Sequence, residues 1–82
     1  MPHSDHTKRF LAALGAAVRE QREKIGWSQE ELGFEAEIDR TYISGVERGV
    51  RNPTIANLMK LCSALGVRPS QVLRNAERLR RL

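Results

Sequence analysis

Residues 28–49 read SQEELGFEAEIDRTYISGVERG, and they carry two helix-start signals in quick succession. Ser28 and Glu31 form a Ser-x-x-Glu capping box: the serine oxygen accepts from a first-turn backbone N–H, and the glutamate reaches back to the cap N–H. Asp39 is a good N-cap for the next segment. Leu32 and Ala36 lie on the first segment, Ile43 and Val46 on the second, and Gly49 ends the second. Two short helices this close are joined by a turn of few residues and make one rigid wedge. Where a tight turn favours glycine, the chain carries Glu37. A non-glycine residue in the left-handed region is uncommon and costs roughly 1 kcal/mol.

The flanking sequence is also helical. Phe10, Leu11, Leu14, Val18 and Ile25 recur at spacings that predict an amphipathic helix over 7–25, capped by Thr7 and closed by Gly26 in the left-handed conformation. Asn52 and Pro53 make a turn, and Thr54 caps a fourth helix carrying Ile55, Leu58, Leu61, Cys62 and Leu65, closed by Gly66. Pro69 suits the first turn of a fifth helix, with Val72 and Leu73 turned to the core; RNAERLRRL, residues 74–82, continues in register with Leu79 and Leu82. No segment alternates as a strand does. The expected fold is all-α with five helices. A flexible arm covers 1–6, a helix-turn-helix domain 7–73 and a basic helical extension 74–82.

Composition narrows the function. Hydrophobic residues make up 40% and charged residues 29% of the 82, a globular balance. No apolar run approaches the roughly 18 residues of a membrane span, and no long apolar leader opens the chain, so a cytoplasmic location is expected. Cys62, the single cysteine, falls within an apolar series and reads as a core thiol. His3 and His6, both in the arm, are the only histidines. The motif region offers neither a histidine nor a carboxylate pair, so no enzyme activity, cofactor or metal is expected. Fourteen Lys and Arg against ten Asp and Glu give +4, which favours a polyanionic partner, although basic surfaces also serve solubility alone.

Projecting residues 39–48 at about 100° per residue puts Ile43, Val46 and Glu47 on one side. Thr41, Gly45 and Arg48 fall opposite, flanked by Ser44 and Arg40. The outer face has no carboxylate and no large apolar residue. That suits a groove lined by phosphates and base edges, where arginine bonds guanine O6 and N7 in pairs and threonine offers a hydroxyl or a methyl. Mid-helix Gly45 costs about 1 kcal/mol relative to alanine. Close backbone approach to DNA and close helix packing both account for it.

SQEEL, IDRTYISGVERGVRNPT and LMKLCSALGVRPSQVL together make residues 19–73 resemble the Cro and phage-repressor type of helix-turn-helix domain, with a lambda-repressor-like fold. DRTYISGVERGVRNP is similar in particular to the controller proteins of restriction–modification systems. The resemblance implies a dimeric, sequence-specific transcriptional regulator on a palindromic operator, with RNA polymerase as a further partner. The other readings are a phage-like repressor, an antitoxin-type regulator, or a protein-binding module of the same fold. Residue by residue, the resemblance puts Arg40, Thr41 and Ser44 at base edges. Gln29, Tyr42, Arg48, Arg51 and Asn52 fall at the DNA backbone, with Gln29 also bracing the second motif helix. Arg22 and Glu47 form a buried ion pair. The sequence supports that pair independently: Arg22 edges the apolar stripe of its helix, Glu47 lies one turn beyond Ile43, and a charge in either place needs a partner.

Two departures stand out. Gly33 replaces the small alanine usual in the first motif helix, and Glu37 replaces the turn glycine and is expected to point away from phosphate. An 82-residue chain buries only about 60–65% of its unfolded surface, so a second subunit would add stability. The resemblance implies two-fold dimers whose recognition helices enter successive major grooves about 34 Å apart. The dimer surface is expected on the fourth and fifth helices, from Leu65, Val67, Val72, Leu79 and Leu82. For Leu79 and Leu82 a frayed tail is the alternative.

Overall fold

The computed structural model describes residues 4–81 and holds five helices: α1 (Asp5–Ile25), α2 (Gln29–Ala36), α3 (Arg40–Glu47), α4 (Ile55–Leu65) and α5 (Pro69–Arg80). The described residues contain no strand. Four of the helices start on a capping side chain, Ser4, Ser28, Asp39 and Thr54, each accepting from a first-turn N–H. Helix α5 starts without one and relies on Pro69, whose missing N–H leaves one donor fewer to satisfy. Gly26 and Gly66 close α1 and α4 at φ 85° and 71°.

Helix α1 begins earlier than its apolar pattern indicates. Ser4, not Thr7, is the cap, its oxygen accepting from Thr7 N at 3.2 Å. Asp5 and His6 therefore belong to the helix rather than to an arm. His3 lies outside the described residues. At the other end, α5 runs through residue 74 without a break, and Ala76 is fully buried. Residues 74–80 are thus part of the folded domain.

The core is built from Leu14, Ala17, Val18, Leu32, Ile43, Val46, Leu58, Leu61, Cys62, Leu65 and Val72. Helix α1 is its spine, packing on α5 and on α3. Gly15 lets the α1 backbone meet the carbonyls of Val46 and Glu47 at the end of α3. Gly49, at φ 76°, brings the chain against Ala12; a Cβ there would sit 2.8 Å from Ala12 Cα. Both contacts fix where α3 ends relative to α1. Ile25, read as part of the apolar stripe, is 44% exposed, since the last turn of α1 runs past the core. Burial raises the pKa of the Cys62 thiol, consistent with a core role.

Candidate nucleic-acid interface

The wedge of α2 and α3 depends on its turn. Ile38 N donates to Gly33 O at 2.9 Å and Glu37 N to Phe34 O at 3.3 Å, a Schellman-type end to α2. This geometry needs a left-handed residue, and Glu37 supplies it at φ 56°, ψ 44°. Gly33 serves the same turn from the other side. A Cβ on it would stand 2.6 Å from the Ile38 carbonyl oxygen, so the turn backbone occupies the space of a side chain.

Helix α3 starts on Asp39, whose Oδ1 accepts from Thr41 N at 2.7 Å. This hydrogen bond holds the Asp39 carboxyl below its ordinary pKa. Ile43 and Val46 are buried and anchor the inner face. Arg40 and Thr41 are exposed, and Ser44 is half-buried. The Ser44 oxygen accepts from Arg48 Nε at 3.3 Å, so Arg48 lies back along the helix.

A polar lock behind the helix holds this face in place. Arg22 Nε and Nη2 donate to Glu47 Oε2 and Oε1 at 2.7 and 2.9 Å. Arg22 Nη1 donates to the Trp27 carbonyl at 2.7 Å, and Gln29 Nε2 donates to Glu47 Oε1 at 3.0 Å. The two charged side chains retain only 11% and 3% of their exposure. The hydrogen bond to Glu47 raises the pKa of Arg22 further, against the effect of burial. The lock joins the end of α1, the start of α2 and the end of α3. No buried side-chain nitrogen or oxygen among the described residues is left without a partner. The Trp27 carbonyl is a member that the residue pattern did not reveal, because a backbone acceptor leaves no mark in a sequence.

Tyr42 is half-buried against the core, and the Arg51 guanidinium carbon lies 5.5 Å from its ring centroid. Arg51 and Asn52 are exposed in the loop after α3. Gly45 is buried although it projects to the outer face, because the Arg51 side chain lies across it. Neither reading of Gly45 from the sequence named this neighbour, which no local pattern connects to it.

The expected dimer residues fare differently. Leu65 and Val72 are 6% and 0% exposed and lie inside the protomer, in the core where α4 and α5 pack with α1 and α2. They are not available to a partner. Val67 and Leu79 are half-buried against the same core, and Leu82 lies outside the described residues. Among the described residues, the large apolar side chains that remain open are Phe34 at 82%, Ile55 at 70%, Val50 at 65% and Met59 at 57%, besides Ile25. Phe34 shares its face of α2 with Glu30, Glu31 and Glu35 beside Trp27. Met59 and Ala56 line a groove with Glu35, Glu37, Lys60 and Ser63. No helix of the described residues is long and apolar enough to cross a membrane, and they hold no cluster of three metal-ligating side chains.

The helix-turn-helix family model matches residues 18–72. The chain is 44% identical over 68 residues to the control protein C.BamHI of Bacillus amyloliquefaciens, covering 82% of this chain and 84% of that protein. It superposes on the restriction–modification controller protein C.AhdI from Aeromonas hydrophila with a TM-score of 0.74 at 44% identity, over 76% of this chain and 94% of that one. The controller C.Esp1396I, solved as a tetramer in complex with its natural 35 base-pair operator, matches with a TM-score of 0.80 at 30% identity, over 89% of this chain and 96% of that one.

Proposed function

The chain belongs to the helix-turn-helix family, alongside restriction–modification controllers, and from that premise we propose that it is a dimeric, sequence-specific transcriptional regulator that controls a restriction–modification system. One observation carries the reading. The outer face of α3 bears Arg40, Thr41 and Ser44 and no carboxylate, and the lock of Arg22, Glu47 and Gln29 behind it fixes its angle. Binding then costs little ordering entropy at the reading helix. Gln29 keeps a second amide hydrogen for a phosphate, while Arg48 at the end of α3 and Asn52 in the loop after it add exposed donors. These backbone contacts would set register, and the base contacts would set sequence.

The test is a gel-shift series on duplexes selected from random DNA, repeated across salt concentrations. The wild type is expected to enrich an inverted repeat. Arg40→Ala should cost about 1–3 kcal/mol on that repeat and relax one base preference. Equal loss on every sequence would reject a base-reading role for Arg40. Inverted repeats upstream of the gene, next to an endonuclease or methyltransferase gene, would support the controller assignment.

Two surfaces suit partners other than DNA. Ile55 and Met59 form an open apolar stripe on α4 and fit a second copy of the chain. Phe34 within its glutamates fits a basic protein surface and would repel DNA, which suits RNA polymerase beside an operator-bound dimer. Phe34→Ser should leave operator binding intact and lower transcription in a purified polymerase assay. Unchanged transcription would remove this face from the reading.

A further inference from the structure

The start of α1 and the end of α5 meet through two cations. His6 and Arg80 are 74 residues apart in the chain, yet Arg80 Nη1 lies 3.3 and 3.4 Å from the two ring nitrogens of His6. A ring nitrogen that accepts there belongs to a neutral imidazole, so Arg80 spends an N–H without gaining a counter-charge. Arg9 shares the face of His6 one turn along α1. His6, Arg9 and Arg80 together line one open cavity of about 250 Å³. No carboxylate is among its walls, although Asp5 and Glu77 lie close by along the two helices. Other arginines of α1 and α5 are paired, Arg19 with Glu23 at 3.2 Å and Arg78 with Glu20 at 3.6 Å. Among the described residues, His6, Arg9 and Arg80 take part in no salt bridge.

We propose that this cavity is a binding site for a phosphate group, held between the start of α1 and the end of α5. Two guanidinium groups and an imidazole around one cavity repel one another, and an oxyanion between them turns that repulsion into attraction. Arginine forks meet phosphate oxygens two at a time, and such charge-assisted bonds are about twice as strong as neutral ones. His6 adds a third contact, donating from one ring nitrogen when neutral and from both when protonated. The helix dipoles oppose each other here: the start of α1 favours an anion and the end of α5 disfavours it, so the side chains decide. All three residues lie outside 18–72, the stretch that matches the helix-turn-helix family. The site is therefore separate from the face of α3 and is built from the segments that flank the family domain. The phosphate has two possible sources, a free ion or the nucleic-acid backbone flanking an operator.

The experiment titrates the full chain with inorganic phosphate at neutral pH, with chloride holding the ionic strength constant, and follows amide chemical shifts and thermal melts. Wild type is expected to saturate with a Kd on the order of 1 mM. Its shifts should centre on the first turn of α1 and the last turn of α5, and its melting temperature should rise with phosphate. Arg80→Gln and Arg9→Gln should each weaken binding about tenfold or more. Arg74→Gln removes the same charge from α5 outside the cavity and should bind as wild type does. Shifts are read well below each melting temperature, so a variant that is merely less stable does not mimic a lost site. Equal shifts with chloride alone, or equal weakening in Arg74→Gln, would overturn the site in favour of general counter-ion screening. A second arm identifies the source, using selected duplexes with and without added flanking base pairs. A backbone source predicts that Arg80→Gln lowers the salt dependence by about one unit on the extended duplex alone, and that free phosphate competes with that duplex. A free-ion source predicts that Arg80→Gln binds both duplexes as wild type does, and that phosphate still saturates the protein–DNA complex. The phosphate titration itself uses no DNA, so it tests the site even where the DNA-binding reading fails.

Discussion

Arg22 and Glu47 tie α1, α2 and α3 together at one buried point. Their contact is bidentate at 2.7 and 2.9 Å, and it takes two further hydrogen bonds, from Arg22 to the Trp27 carbonyl and from Gln29 to Glu47. A carboxylate this buried is expensive to leave alone. Arg22→Ala should therefore destabilise the fold by about 3–5 kcal/mol, read as a fall in urea midpoint. The double variant Arg22→Met with Glu47→Leu should recover most of that loss, since removing both charges removes the desolvation cost together with the attraction. It should not recover tight DNA binding, because Gln29 would lose its anchor. Glu37 shows the opposite kind of residue effect. Its left-handed backbone, φ 56°, costs roughly 1 kcal/mol. The turn tolerates that because two hydrogen bonds to the end of α2 depend on it.

At the scale of the element, α2 and α3 are eight residues each, too short to persist alone in water. They exist because caps close both ends and because Leu32, Ala36, Ile43 and Val46 find partners in one core. Their mutual angle is set where Gly33 meets the Ile38 carbonyl. Gly33→Ala would force a methyl to within 2.6 Å of that oxygen unless the turn opens. The expected cost is about 1–3 kcal/mol. Operator affinity should fall by more than the lost stability explains, because an opened turn re-aims the reading face. Matched measurements of the denaturation midpoint and of Kd on a selected duplex would separate the two effects. Alanine, the usual family residue here, should therefore be accepted only if the neighbouring turn shifts as well.

At the scale of the molecule, α1 organises everything else. It closes the core against α5 and sets the position of α3 through Gly15 and Ala12. Because α1 and α2 take up the inner faces of α5 and α4, Leu65 and Val72 are spent inside the protomer. The large apolar side chains left exposed on α4 are Ile55 and Met59. Met59→Asp is thus expected to convert the protein to a monomer in sedimentation experiments without lowering its melting temperature at monomer concentrations. Operator binding should weaken by about a hundredfold or more, since each half-site would then bind on its own. A dimer that survives Met59→Asp would place the seam elsewhere.

The sequence alone determined what depends on local rules. Capping residues, closing glycines and apolar spacing marked all five helices, because each signal acts within a turn or two of where it lies. The same locality exposed the left-handed need at Glu37 and the unpaired charges of Arg22 and Glu47, since a strained backbone or a charge on an apolar face is conspicuous without its partner. Only the tertiary structure decided which apolar faces were already taken. Leu65 and Val72 look like interface residues until the helices close into one core, and Ile25 looks like core until its turn runs past the core. It also decided that Arg51 lies across Gly45. That contact comes from the turn at the left-handed Gly49, which packs on Ala12 of α1 and lets Val50 N and Arg51 N both donate to the Gly45 carbonyl.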